Sequence, residues 1–214
     1  MHKFFQEREF FHVHTPILTN SDCEGAGELF RVTRNGEDFF GPPTFLAVSG
    51  QLQGEICAQA LSKIYTFGHT FRAENSHTSR HLSEFWMIEP EMSFCNLDEN
   101  MDLAEKFLKY ILDYALNHAQ KDLHFFSKFI EEGLIEKLTH FVKEPFEKIS
   151  YDEAIKILQK AKESFAYTPM WGKDLQSEHE RYLAEKHFQK PLIVYNYPKE
   201  IKAFYMKDND DGKT

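Results

Sequence analysis

At 214 residues, 42% of them hydrophobic and 21 of them phenylalanine, the chain is long enough to bury a substantial core in one domain or one and a half. A formal charge of −9 argues against a dominant non-specific nucleic-acid surface, while leaving room for a local basic patch that contacts RNA. Cys23, Cys57 and Cys95 are widely spaced and include no CxxC pair, which fits buried free thiols in a reducing compartment better than a disulfide or zinc framework. No apolar run approaches a membrane span and no signal-peptide core opens the chain, so a cytoplasmic protein is the expectation.

Residues 1–11 have helical composition, with Phe4, Phe5 and Phe11 along an irregular apolar stripe, and lead into a short strand at 13–18. Pro16 inside that strand predicts an edge or a bend, since proline donates nothing to the ladder. A helix running into an edge strand suits a dimer interface and structural framing equally. Residues 22–30, DCEGAGELF, read as a glycine-rich acidic loop, in which Glu24 either meets a cationic group or is solvated. Residues 45–48 read as a buried strand, ending in Ser49, Gly50 and Gln51 before a helix that carries Ile56, Ala60 and Leu61. Free N–H groups at a helix start can reach a ligand; an N-cap role for Ser49 is the commoner use.

The densest chemistry lies in residues 64–94, IYTFGHTFRAENSHTSRHLSEFWMIEPEMSF. Two segments rich in aromatic and β-branched residues, 64–72 and 84–94, predict strands joined by a polar loop at 74–83, most simply as an antiparallel pair. Alternation places Thr70, Arg72 and Glu74 on one face of the first strand, and Phe85, Met87, Glu89 and Glu91 on one face of the second. If those faces coincide, one sheet surface carries an arginine, three carboxylates and a ring. Charges in mid-strand cost free energy unless paired or liganded. A polar ligand site and an Arg–Glu network on a solvated face both satisfy that condition.

Beyond the hairpin the pattern is helical. Ala104, Phe107, Leu108, Ile111, Leu112 and Ala115 recur at spacings of three and four in residues 98–120, with Asp98 as the expected N-cap. Ser150 with Glu153 and Ser177 with Glu180 form capping-box signatures, and Ala154, Ile157, Leu158 and Ala161 supply a core face. This block reads as packing, without catalytic groups. Residues 191–197 and 201–207 return to strand composition, and DNDDG at 208–212 resembles a hairpin turn more than a calcium loop. With only Lys213 and Thr214 after that turn, the polypeptide is expected to stop inside its domain. The His12–His14 pair has no metal-binding HExxH context, so no metal site is expected. No GxGxxG, Walker loop or GxSxG is present, which removes the usual dinucleotide, P-loop and serine-hydrolase readings.

FRAENSHTSRHLSEFWMIEPEM, residues 71–92, resembles motif 2 of the class II aminoacyl-tRNA synthetases. The helix and strand ending at Thr15 and Pro16 resemble their dimer-forming motif 1. VSGQL at 48–52, SEHERYLAEKHF at 177–188 and NYPKEIKAFYMK at 196–207 are similar to the bacterial-type asparaginyl branch of that family. The resemblance covers essentially the whole chain. It implies an α+β fold: part of a class II catalytic domain, a mainly antiparallel sheet flanked by helices. Motif 1 would occupy about 1–18, motif 2 about 64–94 and a helical block about 98–190.

The resemblance also implies roles. Arg72 matches the arginine that holds the α-phosphate of ATP, Glu74 the residue at the adenine end, and Phe85 the ring stacked on adenine. Arg80 and His81 fall in the motif 2 loop near the γ-phosphate. Glu24, Gln51 and Glu89 fall where related enzymes bind the amino-acid ammonium group, and Ser49 would line that pocket. Aspartyl relatives carry a lysine three positions after the glutamine of SxQ; here that position is Gly54, followed by Glu55, a candidate acceptor for an asparagine amide N–H.

The expected activity is ATP-dependent activation of asparagine and its transfer to tRNA(Asn), by a homodimer formed through motif 1. The N-terminal OB-fold, the acidic Mg²⁺ ligands and the glycine-rich motif 3 of the family are expected outside this chain, which by itself would be inactive or weakly active. Two rivals belong beside this reading: an asparagine synthetase-like amide-forming enzyme, and a non-catalytic dimerisation or regulatory fragment.

Overall fold

The computed structural model describes residues 1–22, 28–75 and 81–214, which form two compact units, Met1–Asn96 and Leu97–Thr214. In the first, α1 (His2–Gln6) leads to β1 (Phe11–His12), β2 (Leu18–Thr19), β3 (Phe45–Leu46), α2 (Gln51–Leu61), β4 (Lys63–Phe71) and β5 (Glu84–Met92). The second contains α3 (Leu97–His118), α4 (Gln120–Phe129), α5 (Leu134–Lys143), β6 (Glu147–Ser150), α6 (Tyr151–Lys160), α7 (Ser177–Arg181) and β7 (Leu192–Tyr195). No helix among the described residues is long and apolar enough to cross a membrane.

The central sheet has strand order β1-β4-β5. Its long pairing, β4 with β5, is antiparallel, whereas β1 joins β4 in parallel, with Phe11 opposite Ile64. The sheet is therefore mixed, its antiparallel pair being the expected hairpin. The register sets Thr70 opposite Phe85, Gly68 opposite Met87, Thr66 opposite Glu89 and Ile64 opposite Glu91. Residues paired across an antiparallel ladder share a face, so the two predicted faces do coincide.

The other face is aromatic. Phe4 and Phe5 of α1 are completely buried, and the Phe5 ring stacks on Tyr65 at 4.7 Å. The helix predicted over residues 1–11 stops at Gln6, because Glu9 takes a left-handed φ of 65° and turns Phe10 back against Phe5 at 5.4 Å. The strand predicted over 13–18 is also divided. β1 ends before it and β2 begins at its last residue, pairing with β3 instead. Pro16 lies between them, where its missing N–H breaks no ladder.

In the second unit α6 begins with the predicted capping box, Ser150 Oγ accepting from Glu153 N at 3.2 Å and Ser150 N donating to Glu153 Oε2 at 3.1 Å. Ala154, Leu158 and Leu183 are buried in its core, with Ile149 from β6. β6 and β7 pair in parallel. Three expectations change. α3 buries Met101, while Ala104 and Leu108 of the predicted stripe are exposed, and its helix starts at Leu97, so Asp98 sits in the first turn rather than at the cap. α7 is capped by Gln176, not Ser177, because the buried His179 accepts from Gln176 N through Nδ1 at 3.1 Å. Residues 201–207 form no strand: a short 3₁₀ turn, Lys199–Ile201, precedes them, and the loop after them closes on Asp211, which accepts from Lys213 N and Thr214 N at 2.8 and 2.9 Å.

Candidate functional site

Local geometry concentrates polar groups where α2 starts against the sheet. The buried segment 47–50 carries the chain from β3 to α2, and its Gly50 is the N-cap residue of α2. Across from it, Glu89 of β5 accepts from three donors in two parts of the fold. Ser49 Oγ donates to Glu89 Oε1 at 2.5 Å, Thr66 Oγ1 of β4 donates to Oε2 at 2.7 Å, and the Gly50 N–H reaches both oxygens at 3.3 and 3.2 Å. A carboxylate seated on a helix N-terminus is electrostatically favourable. The approach requires glycine: a β-carbon at position 50 would lie 2.9 Å from Thr15 Oγ1, 3.2 Å from Thr66 Cγ2 and 3.3 Å from Glu89 Oε2.

Ser49 thus sits one residue before the cap, its oxygen accepting from Gln51 N at 3.0 Å while its hydrogen goes to Glu89. One helical turn on, Gln51 Nε2 donates to Glu55 Oε1 at 2.9 Å. Beside this pair stands Glu91, which burial pushes up to about 7, helped by the negative charges of Glu55 and Glu89 and opposed by a hydrogen bond from Gln51. Gly54 is buried against them, its missing side chain 3.5 Å from Glu91 Cγ. Gly54 thus lies against Glu91, whose own neighbours include Glu55 and Glu89.

At the other end of the same face lies a second group. The Arg72 guanidinium stands over the Phe85 ring at 5.6 Å, inside cation–π range, and its backbone N–H donates to Ser83 O at 3.0 Å across the mouth of the hairpin. His81 Nε2 lies 4.0 Å from Glu74 Oε2. Phe85 and Glu89 are four residues apart on one strand, about 13 Å. Between them Gly68 faces open space, with nothing within 4 Å of its would-be β-carbon. A small pocket between residues 13–17 and β4 is lined by Thr15, Ser49, Gly50, Thr66, Gly68, Thr70 and Glu89, among others.

Eight of the ten residues singled out from sequence are described, in two groups: Arg72 with Phe85 and Glu74 with His81 at the loop end of the hairpin, then Ser49, Gln51, Glu55 and Glu89 at the start of α2. Glu24 and Arg80 lie outside the described residues. Sequence reasoning did not single out Thr66, Gly50 or Glu91 as site residues. Thr66 looks like any β-branched strand residue until the register sets it opposite Glu89, and Glu91 carried only its even spacing from Glu89. Among the described residues no group of three or more His, Cys, Asp or Glu side chains is arranged to hold a metal ion.

Residues 1–214 match the family tRNA synthetases class II (D, K and N). The chain belongs to that family. The synthetase chain is 57% identical over 228 aligned positions to the asparagine–tRNA ligase of Protochlamydia amoebophila, an alignment covering all of this chain and 49% of that protein. It is 56% identical to the asparagine–tRNA ligase of Alkaliphilus oremlandii, covering 50% of it. The crystal structure of asparaginyl-tRNA synthetase from Pyrococcus horikoshii complexed with asparaginyl-adenylate superposes with a TM-score of 0.85 at 34% identity, over 98% of this chain and 45% of that one. The class II fold expected from sequence is the fold observed. The synthetase chain spans about half the length of the curated relatives it matches.

Proposed function

We propose that the protein carrying this chain activates asparagine with ATP and transfers it to tRNA(Asn). The observation that carries the proposal is the single sheet face with Arg72 over Phe85 at one end, and the Glu89 clamp with Gln51 and Glu55 at the other. A small pocket lined by Thr15, Ser49, Thr66, Thr70 and Glu89 adjoins the Glu89 end.

In this reading an asparagine carboxylate oxygen attacks the α-phosphorus of ATP, the P–O bond to the β-phosphate breaks, and pyrophosphate leaves. A tRNA ribose hydroxyl then attacks the acyl carbon of the adenylate and releases AMP. No covalent enzyme intermediate is required. Negative charge gathers on phosphate oxygens in the first step, and the planar Arg72 guanidinium meets two of them in parallel. Phe85 supports the adenine ring, Glu74 reaches its edge, and Arg80 and His81 approach the γ-phosphate. Gln51, Glu24 and Glu89 orient the ammonium end, with Ser49 fixing Glu89. Mg²⁺ would accompany ATP as a charge neutraliser; among the described residues no cluster of ligands for it is present.

Choice of side chain follows from charge. Glu91 against Gly54, with Glu55 and Glu89 as its neighbours, repels an aspartate carboxylate, and Glu55 accepts an amide N–H of asparagine. A homodimer would form through α1 and β1, next to the aromatic side of the sheet, where Trp86 is 55% exposed. A cytoplasmic location fits this role.

The test is amino-acid-dependent ATP–pyrophosphate exchange by the full-length protein. Exchange with asparagine and not aspartate is expected. Exchange with aspartate alone, or with neither, overturns the proposal.

A further inference from the structure

We infer that Thr66 is a positioning residue for amino-acid recognition: its buried hydroxyl sets the orientation in which Glu89 meets the substrate. The inference rests on the proposed function and names a residue that sequence spacing passed over. Two threonines of β4 share the site face, and both are buried, at 3% exposure. Thr70 spends its hydroxyl on the backbone, donating to Phe85 O at 3.3 Å. Thr66 instead donates across the ladder to a carboxylate side chain, Glu89 Oε2, at 2.7 Å.

Without that bond the carboxylate would be held from one side only, by Ser49 Oγ on Oε1 and by the Gly50 N–H. Both of those donors belong to the turn into α2, whereas Thr66 belongs to the sheet. Three donors from two directions fix rotation about the terminal torsion of Glu89, which is otherwise broad. A carboxylate has about four lone-pair sites against these three donors, the one Gly50 N–H being shared between both oxygens, so one site's capacity remains for a ligand group in the pocket. The Thr66 methyl group completes the arrangement, filling the space beside Gly50 at 3.2 Å from its would-be β-carbon.

The experiment compares Thr66→Val and Thr66→Ala, which lose the hydroxyl, with Thr66→Ser, which keeps it, in ATP–pyrophosphate exchange by the full-length protein. Removal of a hydrogen bond to a charged group predicts an asparagine KM raised about tenfold or more in Thr66→Val. The ATP KM stays within about twofold and Thr66→Ser recovers the asparagine KM to within about threefold, a split that a general loss of packing would not produce. The inference falls if Thr66→Val leaves the asparagine KM unchanged, or if asparagine and ATP KM rise together without rescue by serine. It also falls if both hydroxyl-less variants fail to fold while Thr66→Ser folds, since the hydroxyl is then structural. A wild-type protein that shows no asparagine-dependent exchange overturns the functional reading beneath it, a result distinct from these.

Discussion

At the scale of single residues, Glu91 connects the site to pH. Its folded value of about 7 lies above the ordinary 4.5, so the stability held in its neutral form is complete below about 4.5 and is lost as pH rises through about 7. Allowing for the solvent that reaches this half-buried group, the loss is about 1–2 kcal/mol. Thermal melts from pH 5 to pH 8 are expected to show it in the wild type and to flatten in Glu91→Gln; an unchanged pH profile in the variant contradicts the assignment. Discrimination is expected to sharpen over the same window, as a further negative charge appears beside the side-chain pocket. Glu55→Gln is expected to lower the asparagine-over-aspartate preference about tenfold in exchange assays, through loss of a charge-assisted acceptor. An unaltered preference would remove Glu55 from side-chain recognition. Sequence displayed most of these groups, because strand alternation alone places Glu89 and Phe85 together. It could not display Thr66, whose role depends on which residue of another strand stands opposite.

Elements differed in how far sequence disclosed them, and the differences follow from how local each cause is. β4 and β5 were legible because two nine-residue strands joined by a polar loop leave little choice of register. The cap of α6 was legible because a capping box is complete within four residues. Ser150→Ala is expected to destabilise the Leu97–Thr214 unit by about 1 kcal/mol in denaturant titrations, and Ser150→Asp to restore most of it. Equal midpoints for Ser150→Ala and the wild type would contradict this. Where the cause is tertiary, the pattern misled. Strand-forming composition at 201–207 found no partner strand, and the α3 stripe turned because the partly buried Glu105 and Lys109 pair with each other at 2.7 Å on its packed side. At α7, a histidine whose Nε2 also meets Tyr167 O at 2.7 Å displaced the serine that local rules favour as cap.

At the scale of the molecule, the sheet has one chemical face and one aromatic face, and the second bears on assembly. Trp86, 55% exposed, lies 5.0 Å from the partly buried Phe67 and 4.3 Å from the partly buried His69 in an aromatic row. Trp86→Glu is expected to shift the full-length protein toward monomer in sedimentation velocity, with a dimer of undiminished affinity as the contrary result. The chemical face has a different consequence. Glu89 is both the floor of the proposed amino-acid pocket and the acceptor for the N–H of Gly50, the N-cap residue of α2, so filling the pocket and starting the helix involve the same atoms. The backbone amide of Gly50 is accordingly a built-in reporter: its hydrogen–deuterium exchange should slow when the pocket fills, so that occupancy can be read without following any reaction.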